Sequence, residues 1–281
     1  MQETNKLADS LDPRQMALKA ESSMTAKAKK QHSKAFLLAV LAGVCIGLGF
    51  VYCAIANVTG AGKIVGGLVF SLGLMLVVIL GADLFTSTTM TLIAKASKKI
   101  TWNELFANWG VVYVGNFIGS MILVGIIYMS GHCQDNNWLV GTWYLTTTEH
   151  KLTHTFTEAV GLGILCNIMV CLGVWMSYAG RSVVDKLLVC LFPVGLFIAC
   201  GFEHSIANMF MIPSGLFLSY VAPPEVLAKL HSPELVGEIF TWGNFVIKNL
   251  IPVTIGNIIG GGLMIGLFHW LIYLRPDARE E

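Results

Sequence analysis

The chain has 281 residues, 55% of them hydrophobic and only 12% charged, with a formal net charge of +1 and a mean hydropathy of +0.69. A soluble domain carries about 25% charged residues, so an ordinary water-soluble fold is excluded. The near-neutral charge gives no electrostatic basis for binding nucleic acid.

Residues 1–33 are polar, with Leu7, Leu11 and Leu18 at loosely helical spacing and Pro13 between them. This pattern fits a short amphipathic helix or a mobile tail. No cleavable signal is visible, so the first apolar span is itself the membrane signal. Apolar spans follow at about 35–56, 64–94, 105–130, 155–179, 187–221 and 245–273. They predict an all-α membrane protein with six crossings over residues 34–276 and a short tail at 277–281. With the N-terminus inside, fourteen Lys and Arg residues fall on the cytoplasmic side. Only Lys63, Lys151, Lys229 and Lys248 fall outside. The excess places both termini in the cytoplasm.

Two spans are interrupted. The run Leu187–Ala222 has 36 residues without Lys or Arg, about 54 Å as a straight helix against a hydrocarbon core of roughly 30 Å. In its middle stands Gly201-Phe202-Glu203-His204-Ser205. A Glu-His pair at that depth is costly unless it is paired or lines a cavity. Gly201 permits a turn, and Ser205 and Asn208 offer caps for a helix that restarts. The second span repeats the design in Gly81-Ala82-Asp83-Leu84-Phe85-Thr86-Ser87-Thr88, where hydroxyl residues again follow the acid. Paired interruptions of this kind point to a transport site.

Three strings recur in order. Phe36-x-x-Ala39-Val40-x-x-Gly43 returns at Phe156, Ala159, Val160 and Gly163. Phe70-Ser-Leu-Gly-Leu returns as Phe192-Pro-Val-Gly-Leu. Val112-x-x-Gly115-Asn116-x-Ile118-Gly119 returns at Val253, Gly256, Asn257, Ile259 and Gly260. Each half holds three crossings, an odd number, which predicts an inverted 3+3 repeat with the second and fifth helices broken. The paired glycines at 115/119 and 256/260 suit close helix contact. The seven cysteines lack CxxC spacing and read as small buried apolar residues.

A mid-depth restart of both broken helices points two N-termini, with free N–H groups, at one centre, which favours a small anion. His204 adds a donor that is not permanently charged and can exchange a proton. Glu203 and Asp83 would repel an anion and are assigned to holding the break loops together. Leu74, Leu84, Phe85, Phe70 and Phe197 serve equally as apolar constrictions around His204 or as ordinary packing residues. Lys and Arg are expected to be absent from the path between the constrictions.

These residues resemble the formate/nitrite transporter family over about residues 30 to 275. The resemblance is carried by Lys63-Ile-Val-Gly-Gly, Gly81-Ala-Asp-Leu-Phe-Thr-Ser-Thr, Ala94-Lys-Ala-Ser and the stretch from His154-Thr-Phe-Thr-Glu-Ala-Val to Trp175-Met-Ser-Tyr-Ala-Gly-Arg-Ser. It is completed by Gly201-Phe-Glu-His-Ser-Ile-Ala-Asn-Met-Phe-Met-Ile-Pro and Asn249-Leu-Ile-Pro-Val-Thr-Ile-Gly-Asn-Ile-Ile-Gly-Gly-Gly. It implies an aquaporin-like protomer in a bacterial inner membrane, assembled as a homopentamer with one pore per chain, without a cofactor. It implies formate as substrate, or alternatively nitrite or hydrosulfide. It also implies His204 as the central pore histidine with Thr86 and Asn257 beside it, and Asn167 and Lys151 along the anion's route. Leu74, Leu84 and Phe85 would form the cytoplasmic constriction, and Phe70, Val170 and Phe197 the periplasmic one. The segment Asp83–Thr88 would be a mobile loop, and the N-terminal segment would move over the cytoplasmic mouth. A water or glycerol channel would be expected to carry a pore arginine, and no span has one. A membrane enzyme would need a nucleophile–base pair or metal ligands beside His204, which the sequence does not supply.

Overall fold

A computed structural model describes residues 10–276, so Lys6, Leu7, Arg279 and the 277–281 tail lie outside the described residues. All regular structure among the described residues is helical. Helix α1 (Pro13–Ala28) opens with a capping box in which Asp12 accepts from the Gln15 backbone, and Pro13 occupies the first turn, where its missing N–H costs nothing. Its buried face is Ala17, Ala20, Glu21, Met24 and Ala28. Leu18 is 49% exposed, so the leucine spacing that suggested this helix is not the face that packs.

Helix α2 (His32–Val58) is followed by α3 (Gly62–Leu80), and α3 by two short helices, α4 (Phe85–Thr88) and α5 (Leu92–Ala96), joined by a 3-10 turn. Then come α6 (Trp102–Met129), α7 (Asp135–Leu152), α8 (Phe156–Ser177), α9 (Val183–Ala199), α10 (Ser205–Val221) and α11 (Trp242–Tyr273). Helices α2, α3, α6, α8 and α11 are long and apolar enough to cross a membrane, while α10 is a shorter apolar helix. No residue pattern announces α7, where Asn136, Asn137 and Trp138, just after its first residue, take positive φ before the regular helix begins.

Glycine sets the packing. A Cβ on Gly119 would lie 2.0 Å from the Val40 carbonyl oxygen, and one on Gly260 2.3 Å from that of Ile164. These contacts bring α6 onto α2 and α11 onto α8 at backbone distance, the close approach that small residues permit where lipid supplies little hydrophobic drive. Side chains such as Ile64 and Phe192 point outward, as an apolar surround allows.

The two halves make the same contacts, with a register different from that of the sequence strings. Gly115 meets Phe36 and Val40 in one half; Gly256 meets Val160 and Ile164 in the other. Phe36 thus corresponds to Val160 rather than to Phe156. A four-residue slip is about one helical turn and keeps nearly the same face, so the residue pattern barely registers it. Phe192, matched to Phe70 by sequence, is 70% exposed whereas Phe70 is buried. Counting back from the two breaks pairs Phe70 with the buried Cys190 instead.

Candidate functional site

Both predicted interruptions are present. α3 stops at Leu80 and Gly81 turns left-handed with φ 67°; α9 stops at Ala199 and Gly201 does the same with φ 72°. A side chain at either φ would be strained. The acid two residues on then donates its backbone N–H to the first helix of its own half: Asp83 to the Leu38 carbonyl at 3.2 Å, Glu203 to that of Leu162 at 3.3 Å.

The caps differ from the sequence expectation. The Phe85 N–H donates to Asn116 Oδ1 and the Ser205 N–H to Asn257 Oδ1, both at 2.9 Å. Each Asn turns its amide to the loop it serves: Asn116 Nδ2 donates to the Ala39 and Asp83 carbonyls, and Asn257 Nδ2 to those of Gly163 and Glu203. The first N–H of each restarting half is therefore consumed by an asparagine from α6 or α11 and does not face the centre free. His204, rather than Ser205 or Asn208, is the N-cap of α10: its Nδ1 accepts from the Ala207 N–H at 3.0 Å. Thr86, Ser87 and Thr88 do not cap α4, whose N-cap Leu84 makes no side-chain bond.

The acids are held as assigned. Glu203 Oε1 accepts from Lys151 Nζ at 2.7 Å, and its Oε2 from Asn208 and Asn249 at 2.6 and 3.0 Å. Asp83 is paired with Lys30, with Lys27 Nζ 3.6 Å away. Each buried carboxylate is thus neutralised by lysine, as burial demands.

His204 lies between the breaks. Because Nδ1 takes an N–H, the neutral ring carries its proton on Nε2, which lies 3.0 Å from Thr86 Oγ1. The ring stacks on Phe197, their planes 18° apart. It closes a narrow hollow with no room for a water molecule, lined otherwise by Ile46, Phe70, Leu74, Leu84, Val170, Val194 and Phe197. No Lys or Arg is among these.

Of the anticipated site residues, Phe70, Leu74, Leu84, Val170, Phe197 and His204 line this hollow. Thr86 and Asn257 touch it through His204 and the break loop. Asn167 donates to the Thr86 carbonyl at 3.0 Å and to that of Asn257 at 2.6 Å, tying the two halves together. Phe85 lines a different groove, with its ring edge-on to Tyr113 at 4.8 Å and to Trp109 at 6.0 Å. The backbone alternation of an extended Leu84 sends Leu84 and Phe85 to opposite sides, so Phe85 supports the constriction without lining the hollow. Lys151 lies in a separate open cavity of about 480 Å³ with Lys63, His150, His154 and Glu203.

Sequence reasoning missed Ile46 and Val194, which sit unmarked in apolar spans, and His154, whose position beside Glu203 arises only on folding. All seven cysteines are free and six are buried. No group of three His, Cys, Asp or Glu able to hold a metal occurs among the described residues.

Two helix breaks built alike beside a histidine, in a helical chain with membrane-length apolar spans, define a membrane transport protein. The chain belongs to the formate/nitrite transporter family, whose model matches residues 14–271. It is 51% identical to the formate channel FocA of Escherichia coli K12 over 277 residues, 96% of each chain. It is 46% identical to the formate channel FocA of Haemophilus influenzae over 256 residues, 89% of this chain and 90% of that one. Among solved structures it resembles a pentameric formate channel with formate bound at a TM-score of 0.78 and 45% identity, covering 87% of this chain and 98% of the other. These relatives are channels rather than enzymes.

Proposed function

We propose that the chain is a channel for formate and similarly small monovalent anions, with a complete pore in each protomer of a homopentamer and both termini in the cytoplasm. The observation that carries this reading is the His204-capped apolar hollow, built between two equivalent breaks of one chain. The similarity to formate channels supports formate as cargo, and the similarity to a pentameric one supports the assembly.

The path runs from the Lys151 cavity past Glu203 and His204 to the side covered by α1. An anion entering the hollow loses hydration among Phe70, Leu74, Leu84, Val170 and Phe197. His204 Nε2–H is the donor that offsets part of this cost, with the Thr86 hydroxyl beside it. Neutral donors bind weakly enough for the anion to leave, where a fixed cation would retain it. Handing a proton from Nε2 to the anion would require Nδ1 to carry one too. That ring must first release the Ala207 N–H, so proton transfer is coupled to uncapping α10.

The test is flux through liposomes containing the pure protein, with formate, nitrite, hydrosulfide and glycerol offered separately. Formate passage with glycerol excluded is expected. Passage of glycerol without any anion would refute the reading, and preference for nitrite or hydrosulfide would reassign the cargo within the family.

A further inference from the structure

The groove that holds Phe85 lies apart from the central hollow. It is a void of about 560 Å³ between α6 and α11, with the exposed side chains of Phe106 and Ile251 at its rim. That volume falls in the range of roughly 300–1,000 Å³ seen for ligand pockets. Trp109 and Tyr113 line it on α6 and Leu250 on α11, with Phe85 against them. α11 is wound as a π-helix over Phe245–Leu250 where it forms this wall, a local widening often met at functional sites.

The chemistry of the groove suits hydrocarbon. Its polar side-chain atoms are all engaged by protein. Tyr113 Oη and Thr254 Oγ1 share a hydrogen bond of 2.8 Å, and Trp109 Nε1 donates to Thr91 Oγ1 at 2.8 Å and to the Thr88 carbonyl at 3.2 Å. Gly110 stands in the wall, and a Cβ added to it would meet nothing within 4 Å. A glycine inside a helix is destabilising relative to alanine, and no packed neighbour accounts for this one.

One end of the groove is basic. The rings run on from Phe106 to Trp102, stacked 5.7 Å apart, and Lys95 Nζ lies 4.9 Å over the Trp102 ring. No carboxylate pairs with Lys95 among the described residues, and Glu104 is committed to the Thr101 N–H and hydroxyl. Tryptophan and lysine are side chains that settle at headgroup level. Trp102 and Tyr113 are eleven positions apart on one helix. That is about 17 Å of axis, close to half of a hydrocarbon core of roughly 30 Å. The groove is thus one leaflet deep, apolar within and basic at its mouth.

We propose that it binds one tail of an anionic phospholipid, with the phosphate held by Lys95 beside Trp102 and the tail reaching Phe85. The tail completes the packing of the Phe85 ring, whose chain neighbour Leu84 lines the central hollow. The second break needs no such wall, since Ser205 stands where Phe85 does, each giving its N–H to an asparagine.

The test uses the full-length protein in phosphatidylcholine vesicles doped with phosphatidylglycerol that carries a photoactivatable diazirine midway along one tail. Labelled peptides are read by mass spectrometry after irradiation. Label on 106–114 and 246–255 should exceed several-fold that on 118–126, a stretch of the same helix with exposed Ile118, Ile122 and Ile126. Gly110→Leu fills the space with a better helix former and should bring the groove down to that control level while leaving 118–126 unchanged. Lys95→Gln should lower groove labelling about fivefold at low salt, as for one lysine near an anionic headgroup. Groove labelling equal to the control, or unchanged in Gly110→Leu, would overturn the proposal. Unchanged labelling in Lys95→Gln would overturn the headgroup assignment. Crosslinks joining the groove peptides to a second copy of the chain would show a neighbouring subunit, and not a lipid, in the groove.

Discussion

Glu203→Gln gives a sharp test of how the second break is held. Glu203 Oε2 takes two amide donors, Asn208 and Asn249, and Oε1 takes the Lys151 ammonium. A glutamine has one carbonyl oxygen, which the two asparagines will claim. Its NH2 group then faces Lys151, donor against donor, and leaves a lysine that is 7% exposed without an acceptor. Breaking a buried pair in this way costs about 3–5 kcal/mol, which corresponds to a fall in thermal midpoint of roughly 6–20 °C for a chain of this size. Glu203→Gln combined with Lys151→Met removes the stranded cation while the glutamine keeps both asparagine bonds. The double variant should recover more than half of the loss. Thermal unfolding of the detergent-purified protein, followed by intrinsic fluorescence, reads both. A double variant no more stable than Glu203→Gln alone would show that the pair does not account for the cost. A single variant as stable as wild type would refute the burial argument altogether.

Other outcomes follow from the packing and the clamps. Gly119→Ala places a Cβ 2.0 Å from the Val40 carbonyl and should cost more than about 3 kcal/mol, above the usual overpacking range, whereas Gly125→Ala meets nothing within 4 Å and should leave the melting curve unchanged. Asn257→Ala removes one accepted and two donated bonds at the second break, about 2–4 kcal/mol, and Asn116→Ala should cost a similar amount because it makes the same three bonds at the first. Chemical denaturation of the two asparagine variants checks this, and a large difference between them would contradict the equivalence of the breaks.

The interruptions were legible in the residues because an acid and a glycine inside an apolar run admit few arrangements. Gly81 and Gly201 turn where expected, and Asp83 and Glu203 are tied by lysines as burial requires. The capping partners were not legible. Local sequence offered Ser205 and Asn208, but Asn257 lies on another helix, and His204 caps through a ring nitrogen that the standard preferences leave out. The same limit hid the Lys30–Asp83 and Lys151–Glu203 pairs: a sequence shows that a buried charge needs a partner without showing which one. Phe85 was placed in the constriction, yet lies against Tyr113 on the far side of the Leu84 backbone, because the conformation at the break decides which residue faces inward. The N-terminal helix was suggested by leucines and is held instead by alanines and Met24, since small residues allow it to lie close to the bundle.

The central claim is that the anion passes His204 and that this ring makes flux depend on pH. His204→Asn is the most direct probe. Asparagine is among the best N-caps, so it can take the Ala207 N–H in place of Nδ1 and keep α10 in position, while it cannot exchange a proton. Formate flux at saturating concentration should be measured in liposomes from about pH 5 to 8 for both proteins, the range in which histidine titrates. The account predicts a folded, conducting variant whose flux no longer changes with pH. A variant whose pH profile overlays that of the wild type would contradict it.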